Sequence, residues 1–520
     1  MPEMHFVVRW PDGREQRCYS PSLVVREHLE VGRTYPMADF VARTRTTLNV
    51  ASERVRAKFG STCSAAMDQL ADIEARASGH DAGSPVTVVR FEMPRPRRSV
   101  AVIGGGQAGL AMSHCLKERG IDHVVFEKHR VGHEWRERRW DSFCLVTPNW
   151  QCTLPGFHYS GPEPFGFMKK DDIVAYLEEY AASFKPPIFE GVAVTGLRKR
   201  PDGAFELDTT LGACVVDHVV VAVGGYHVPS IPRIAERLPA GLVQLHSSEY
   251  KSAESLPPGD VLVVGTGQSG CQIAEDLHLA GRRVHLCVGS APRTARRYRG
   301  KDVVEWLDKM GYYRMPVHEH PLQERVRGKA NHYVTGRDGG RDIDLRKFAS
   351  EGMRLHGRLL RENEGVLTFQ NDLKHNLDNA DAVSESIKRT VDKYIEAEGI
   401  DAPAEAPYVP VWQPGESDPR TLDLGSAGVT SIVWSTGYRA DYRWIEVPVF
   451  DGKGYPCHQR GVTAVDGLSF LGLPWQYTWG SGRFSGVADD ARFLAERIYA
   501  RVGKSHQQPE TTLNELALGS

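Results

Sequence analysis

VAVIGGGQAGLAM at residues 100–112 and VLVVGTGQSGCQI at residues 261–273 follow one pattern. Each begins with a short apolar run, continues through glycines spaced G-x-G-x-x-G, and ends in the start of an apolar helical pattern. A turn of this kind between a strand and a helix lets a pyrophosphate approach the backbone, where the helix N-terminus offers free N–H groups. The sequence therefore predicts two dinucleotide-binding turns rather than two tight turns without a ligand.

The residues predicted to line the two turns are those of each glycine motif. In both motifs the first glycine permits the sharp turn, the second admits the pyrophosphate, and the third allows close packing of helix on strand. The first turn comprises Gly104, Gly106, Gln107, Ala108 and Gly109. The second turn comprises Gly265, Gly267, Gln268, Ser269 and Gly270.

The residue that ends the next strand distinguishes the two units. Glu127 lies about 20 residues beyond the first turn, where a carboxylate can accept hydrogen bonds from both ribose hydroxyls. The equivalent place in the second unit holds Gly289 and no acid. Three arginines follow within a few residues: Arg293, Arg296 and Arg297. Because arginine attracts a 2′-phosphate and a carboxylate repels it, the first unit suits FAD and the second NADPH. A solvated basic loop is the alternative interpretation of the arginines.

The composition excludes several classes of protein. The chain has 520 residues, 41% hydrophobic and 25% charged, which predicts several globular domains. A formal net charge of −2 provides no basic field for nucleic acid, and no apolar run reaches membrane-spanning length. The initial MPEMHFVVRW has no signal-peptide core, and the nine cysteines include no C-x-x-C pair. We therefore expect a cytoplasmic protein without a zinc ribbon or a thioredoxin-type redox pair.

The chain divides into a small module and a larger region. Residues 1–93 contain a predicted β-hairpin with a Pro-Asp-Gly turn, followed by helices, and form an α+β module of unknown role. From Arg97 onward strands and helices alternate, which predicts an α/β fold of two Rossmann-like domains with a helical insertion. The expected parts are an FAD domain (97–258 and 429–505), an NADPH domain core (259–300), a helix-rich substrate pocket or lid (301–428) and a flexible tail (506–520).

Further motifs follow one another in a characteristic order. They are FEK (126–128), VGHEW (131–135), RWDS (139–142), AVGGYHVPSIP (222–232), LHSSEY (245–250), RRYRGKD (296–302), STGYRADYRWI (435–445) and FLGLPW (470–475). With these motifs, the region from about Ser99 to Val502 resembles the single-component, FAD- and NADPH-dependent flavin monooxygenases. This class B-like branch includes flavin-containing monooxygenases and plant indole-pyruvate monooxygenases. The N-terminal module is faintly similar to a small family associated with nitrogen-starvation responses, and that likeness implies no function.

The resemblance implies roles for residues outside the glycine motifs. Those that would lie beside FAD are Lys128, Trp135, Gly486, Val487 and Asp490. Those that would lie between the two domains, at the NADPH site, are Ser435, Thr436, Gly437 and Tyr438.

The sequence departs from the family pattern in two places. The family motif F-x-G-x-x-x-H-x-x-x-W/D survives only as His246 and Tyr250, which disfavours the oxygenation of ketones. Many relatives place Asn or His near the flavin where this sequence has Val146. Asn149 and Trp150 are the candidate replacements in the flavin pocket, and no other catalytic residue is assigned.

The activity that the resemblance implies is an oxygenation. NADPH would reduce the flavin, O2 would add to give a C4a-(hydro)peroxide, and the amine nitrogen or sulfur of a small molecule would take the distal oxygen. One alternative is an NADPH-dependent flavoprotein reductase or oxidase, whose disulfide-reducing form requires a cysteine pair; Cys144 and Cys152 are not spaced as one. Another is a flavin-based redox sensor, favoured only by the N-terminal module. No metal site is expected, and the formation of a homo-oligomer is left open.

Overall fold

The computed structural model describes residues 3–59, 62–92, 97–416 and 419–505. The tail predicted for residues 506–520 lies outside the described residues. No helix within the described ranges is long and apolar enough to cross a membrane.

The N-terminal module is a four-stranded antiparallel sheet packed against helices. Its elements are β1 (Met4–Arg9), β2 (Glu15–Ser20), α1 (Val25–His28), β3 (Thr34–Pro36), α2 (Met37–Phe59), α3 (Ser64–Ala77) and β4 (Pro85–Glu92). The strand order is β2-β1-β4-β3, and α2 packs along α3. The predicted hairpin is confirmed, because β1 and β2 pair antiparallel and Gly13, at φ +79°, donates its N–H to Trp10 O at 2.9 Å.

The rest of the chain alternates strands with helices. Up to residue 229 the elements are β5 (Arg97–Ile103), α4 (Gln107–Glu118), β6 (His123–Phe126), α5 (His133–Glu137), β7 (Thr153–Leu154), β8 (Phe157–His158), α6 (Lys170–Phe184), β9 (Ile188–Phe189), β10 (Val194–Lys199), β11 (Phe205–Thr209), β12 (Gly212–Val221) and β13 (Val228–Pro229). From 243 to 350 they are β14 (Val243–His246), β15 (Asp260–Val264), α7 (Gln268–Leu279), β16 (Val284–Cys287), β17 (Arg297–Tyr298), β18 (Lys301–Asp302), α8 (Val303–Lys309) and α9 (Leu345–Ser350). The remaining elements are β19 (Arg354–His356), β20 (Leu359–Asn363), β21 (Val366–Phe369), α10 (Leu373–Ala397), β22 (Thr421–Asp423), β23 (Val429–Trp434), β24 (Tyr438–Arg439), β25 (Leu468–Phe470) and α11 (Val487–Ser505).

The first glycine turn belongs to a seven-stranded sheet. Its strand order is β10-β11-β12-β5-β6-β9, and β25 also pairs with β12. Strands β5, β6, β9, β12 and β25 run parallel, and β5 carries the fully buried run Val100–Val102 into the turn before α4. A continuous apolar strand of this kind is typical of a parallel sheet covered on both faces, which confirms the predicted α/β fold.

The second glycine turn belongs to a separate sheet of five parallel strands. The order is β14-β23-β15-β16-β19, with the turn between β15 and α7. This finding corrects the expected boundaries, because residues 243–246 and 429–434 were assigned to the first domain and 354–356 to the insertion. Short apolar strands buried on both faces look alike in sequence, so the pattern identifies the strand but not its neighbours.

The segment 301–428 is less helical than expected. It contains the long helix α10, as predicted, but it also contributes β19 to the second sheet and forms a three-stranded sheet of β20, β21 and β22. Both strand pairings in this small sheet are antiparallel: β20 and β21 form a hairpin, and β22 joins β21 from beyond α10. The segment is therefore an extension of the second domain as well as an insertion.

The N-terminal module and the first sheet share one apolar cluster. Phe91 of the module belongs to the same contiguous set of buried side chains as Ile103 and Phe189 of the first sheet. A hydrogen bond from Arg26 Nη2 to Gly191 O, at 3.1 Å, adds a polar contact between the two parts. The module is therefore packed onto the first dinucleotide-binding domain and buries part of its sheet.

Candidate functional site

The first glycine turn contains three glycines in distinct environments. Gly104 has φ +106°, and a Cβ there would lie 2.5 Å from Ala222 O. A Cβ on Gly109 would lie 1.8 Å from Gly104 O, so α4 approaches β5 at a distance that only glycine permits. Gly106 caps α4 at φ −77°, and nothing else in the described protein lies within 4 Å of the place its Cβ would take.

The second glycine turn repeats this geometry. Gly265 has φ +107°, with a Cβ position 2.6 Å from Ser435 O, and a Cβ on Gly270 would lie 1.9 Å from Gly265 O. Gly267 caps α7 at φ −64° and again faces open space. The side chain of Gln268 is held by a hydrogen bond from Nε2 to Val334 O at 2.5 Å. The two turns therefore have the same backbone design.

The middle glycine of each turn fits a pyrophosphate. The backbone angles of Gly106 and Gly267 are ones that any residue adopts, and no described atom would collide with a Cβ there. Neither backbone strain nor protein packing therefore explains the glycine, whereas a ligand that approaches the backbone does. Ala108 and Ser269 are the second residues of α4 and α7, where backbone N–H groups have no partner within the helix and can face an anion.

The residue beyond each turn differs in charge, as the sequence predicts. Glu127 follows β6, and its carboxylate accepts hydrogen bonds from Gly105 N at 2.6 Å and from His129 N at 2.8 Å. The carboxylate is thus held beside the first turn. In the second unit the N–H of Gly289 donates instead to Thr266 Oγ1 at 2.9 Å. The absence of a carboxylate at Gly289 is compatible with a phosphorylated ribose.

The structure separates the three arginines that follow Gly289. Arg293 is 4% exposed, and its Nε donates to Asp381 Oδ1 at 2.5 Å. Arg296 is 1% exposed and forms an ion pair with Asp302. Arg297 alone of the three exposes its side chain. The expectation that all three attract a 2′-phosphate is therefore corrected, because internal carboxylates already neutralise two of them; Arg297 stays a candidate.

The N-terminal end of α11 lies beside the first turn. Helix α11 packs along α4, and Gln107 Nε2 donates to Gly482 O at 3.3 Å. Trp135 stacks on Phe484 with ring centroids 6.0 Å apart. A Cβ on Gly486 would lie 2.6 Å from another backbone carbon, so the chain passes too closely for any other residue. The structure thus brings Trp135 and Gly486, both predicted at the flavin, to one end of the first turn.

Three other residues predicted at FAD have different surroundings. Val487 is fully buried as the first residue of α11. Asp490 is 2% exposed and pairs with Arg460 at 3.0 Å, while desolvation by burial raises the pKa of its carboxyl group. Lys128 is exposed beside Glu127. These positions stay predictions.

The stretch Ser435–Tyr438 contacts a buried histidine, His246, at the end of β14 in the second sheet. His246 Nε2 lies 3.0 Å from Gly437 O, and its Nδ1 accepts the N–H of Ser248 at 3.2 Å. Burial lowers the pKa of His246, which favours the neutral ring with the proton on Nε2. The Tyr438 ring meets His246 edge-on at 4.7 Å. The surviving histidine of the family motif therefore positions the loop that closes over the second glycine turn.

The two candidate replacements for the missing polar residue, Asn149 and Trp150, differ in their hydrogen bonding. Asn149 is 3% exposed, its Nδ2 donates to Glu163 O at 2.9 Å, and its Oδ1 accepts from Met168 N at 2.8 Å. Its hydrogen-bonding groups therefore hold the local loop together. Trp150 Nε1 is buried without a partner in the described part of the chain. Trp150 is the candidate that keeps a free donor.

Sequence reasoning missed a group of aromatic residues and one arginine near the start of α11. Tyr313 and Trp479 have ring centroids 4.5 Å apart, and Arg483 lies 3.8 Å from the centroid of Trp479. The Tyr312 ring meets the Tyr313 ring edge-on at 5.6 Å, and Tyr226 also lies near Arg483. The only signal in the sequence was the position of Arg483 directly before the α11 motif, since these residues come from segments far apart in the chain.

The cysteines provide no redox pair. All nine are free, and eight are buried or partly buried. Burial raises the pKa of the Cys144 thiol and raises the pKa of Cys152 to about 12. A thiol of this kind is a poor nucleophile, because the thiolate is the reactive form.

One cluster in the described residues could hold a metal by distance alone. The ligand atoms of His114, Cys115 and Glu118 lie within 4.8 Å of one another on α4. Burial raises the pKa of Cys115 to about 12, which disfavours the thiolate that a metal requires. We assign no metal to this cluster.

Comparisons with known proteins agree with this geometry. The sequence model of the pyridine nucleotide-disulphide oxidoreductase family matches residues 101–381, and that of the nitrogen starvation-induced protein NitG matches residues 5–91. An uncharacterized CzcO-like oxidoreductase of Geobacillus kaustophilus is 35% identical over 403 residues, which are 77% of this chain and 97% of that protein. The indole-3-pyruvate monooxygenase YUCCA1 of Oryza sativa subsp. japonica is 32% identical over 36% of this chain and 47% of that protein. The structure of a flavin-containing monooxygenase from Stenotrophomonas maltophilia has a TM-score of 0.54 at 16% identity, covering 78% of this chain and 99% of that one.

Two glycine turns, one on a mixed sheet of seven strands and one on a parallel sheet of five, are those of a flavoprotein oxidoreductase that uses FAD and NADPH. The chain belongs to the pyridine nucleotide-disulphide oxidoreductase family, whose sequence model matches more than half of it, and it is related to the CzcO-like oxidoreductases. The predicted resemblance and fold class are therefore confirmed, as is the faint similarity of the N-terminal module.

Proposed function

We propose that this protein is a monooxygenase that uses NADPH and O2 to oxygenate the amine nitrogen or sulfur of a small molecule. In the balanced reaction, substrate, O2, NADPH and a proton give the oxygenated substrate, NADP⁺ and water. The observation that carries the proposal is the pair of matched glycine turns together with nine free cysteines. The chain has one glycine turn for each of two dinucleotides, but it has no disulfide that could accept electrons from them.

The first turn is the proposed FAD site and the second the proposed NADPH site. Glu127 would accept the ribose hydroxyls of FAD, while the exposed Arg297 would face the 2′-phosphate of NADPH. When bound, FAD would provide the group that accepts hydride and reacts with O2. The chain supplies binding, orientation and the exclusion of water, which explains why no catalytic triad is needed for oxygen transfer to a soft nucleophile.

Aromatic residues would keep water from the flavin end of the first turn. Trp135 and Phe484 stack there, and the short helical turn Tyr312–Arg314 packs against the turn Trp479–Gly482. The segment 301–428 thus reaches the proposed flavin end, which supports its expected role as part of the substrate pocket. A dry pocket favours oxygen transfer over release of hydrogen peroxide.

The alternative, a reductase or oxidase without oxygen insertion, makes an opposite prediction in an isotope experiment. The holoenzyme is incubated with NADPH, ¹⁸O2 and either methyl phenyl sulfide or N,N-dimethylaniline. The masses of the products are then measured by mass spectrometry. We expect one ¹⁸O atom in a sulfoxide or N-oxide. NADPH consumption matched by hydrogen peroxide, with no labelled product from either compound, would favour the oxidase.

The proposed location is the cytoplasm, because the chain needs NADPH and its nine cysteines are unpaired. The number of chains in the assembly is left open. The redox-sensor alternative is favoured by the N-terminal module alone.

A further inference from the structure

Arg483 occupies the junction between the segment 301–428 and the proposed flavin end. It follows the short helical turn Trp479–Gly482 and precedes α11, whose first residue is Val487. Its neighbour Gly482 accepts a hydrogen bond from Gln107 of the first glycine turn at 3.3 Å. Arg483 is therefore close in sequence both to a residue that contacts the first glycine turn and to residues that contact the segment 301–428.

The contacts of Arg483 are all with neutral groups. Its Nη1 donates to Trp479 O at 2.5 Å, its Nη2 donates to Asn331 Oδ1 at 2.9 Å, and its guanidinium stacks on the Trp479 ring at 3.8 Å. No carboxylate of the described residues lies within ion-pair distance of it. By contrast, the buried Arg293 and Arg296 each have an acidic partner.

Arg483 is partly exposed, and the side chains around it are aromatic. Desolvation lowers the pKa of its guanidinium, and the side chains of Tyr226, Tyr312 and Tyr313 lie near it. Tyr226 is 61% exposed, and its ring meets the Tyr438 ring at 5.1 Å. A partly exposed arginine with no acidic partner can take an anion at its remaining N–H donors.

We infer that Arg483 recognises the carboxylate of the substrate, and that the oxygenated molecule joins an aromatic or apolar body to this carboxylate. The inference deepens the proposed function by naming the substrate class of the same site. Arginine has five N–H donors, of which the two contacts above use two, so the remaining donors can meet both oxygens of a carboxylate. A single cation matches a carboxylate better than a phosphate dianion. Trp479, Tyr313 and Tyr226 provide rings for the apolar body.

The test compares two probes that differ only in charge: (benzylthio)acetate and (benzylthio)acetamide. Their dissociation constants are measured on the oxidised holoenzyme by calorimetry and by perturbation of the flavin absorbance. We expect the carboxylate to bind about tenfold to a hundredfold more tightly than the amide, as for one charge-assisted contact. In Arg483→Gln this preference should vanish, while Arg483→Lys should retain part of it because the charge remains without the planar fork.

The matched control is Lys329→Gln, which removes an exposed cation from the neighbouring segment 301–428 and should leave the preference unchanged. Equal affinities of the unaltered enzyme for the two probes, binding of neither probe, or a preference that survives in Arg483→Gln would each overturn the inference. Loss of FAD from Arg483→Gln would assign the arginine to the cofactor site and overturn it too. Because binding to the oxidised enzyme requires no oxygen transfer, a protein that binds the acid selectively but forms no labelled product would contradict only the proposed function.

Discussion

Valine in place of the middle glycine should empty each dinucleotide site without unfolding its domain. In Gly106→Val and Gly267→Val the new Cβ has no other described atom within 4 Å, and the backbone angles are ordinary for valine. The cost to folding is that of a poorer helix N-cap, about 1 kcal/mol. The side chain would instead occupy the space through which a pyrophosphate reaches the helix N-terminus.

The effect on binding follows from the hydrogen bonds that the pyrophosphate loses. Each charge-assisted bond from a backbone N–H contributes about 1.5–3 kcal/mol. Losing about two of them costs about 3–6 kcal/mol, which corresponds to about 10²- to 10⁴-fold weaker affinity. Gly106→Val should therefore be purified nearly free of FAD. Gly267→Val should keep FAD at one per chain but be reduced slowly by NADPH.

The assay combines flavin absorbance per chain, circular dichroism and the anaerobic rate of flavin reduction at several NADPH concentrations. Gly241→Val is the matched control, since Gly241 also faces open space but lies outside both turns. It should change neither FAD content nor the reduction rate. Full FAD content in Gly106→Val, or an unchanged dependence on NADPH in Gly267→Val, would refute the reasoning for that turn.

Three further predictions follow from the packing. Gly109→Ala places a Cβ 1.8 Å from Gly104 O and should lower stability by about 1–3 kcal/mol, seen as a lower Tm; an unchanged Tm would contradict the close helix–strand contact. Arg297→Gln should raise the KM for NADPH about tenfold or more relative to that for NADH. Arg293→Gln should lower the Tm but leave the ratio of the two KM values unchanged, because Arg293 is paired with Asp381 inside the protein. A changed KM ratio in Arg293→Gln with an unchanged ratio in Arg297→Gln would assign the 2′-phosphate to Arg293 instead. Deleting residues 1–92 should reduce the yield of folded protein by exposing the shared apolar cluster, and a truncated protein with full FAD and an unchanged Tm would show that the module is dispensable.

The glycine turns could be predicted from the sequence because their chemistry is local. Positive φ at Gly104 and Gly265 and the close approach at Gly109 and Gly270 are requirements that residue type alone satisfies. The position of Glu127 could be predicted equally well, because the length of one helix and one strand fixes it relative to the turn. These features depend on about 25 consecutive residues each.

The features that the sequence did not predict depend on partners far away in the chain. The pairing of Arg293 with Asp381 turns a supposed phosphate ligand into a buried ion pair, and only the fold brings the two together. The neighbours of β23 in the second sheet were missed for the same reason, since an apolar strand does not encode its sheet. Arg483 was overlooked because its isolation from acidic groups is a property of the folded protein.

The central claim, that this flavoprotein activates O2 for transfer, is tested most directly by stopped-flow absorbance. The FAD-loaded enzyme is reduced anaerobically with one equivalent of NADPH and then mixed with oxygenated buffer. The account predicts a transient spectrum that differs from both reduced and oxidised flavin and that decays faster when a soft nucleophile is present. Direct return to oxidised flavin in a single phase, with one hydrogen peroxide formed for each NADPH and no effect of the nucleophile, would contradict it.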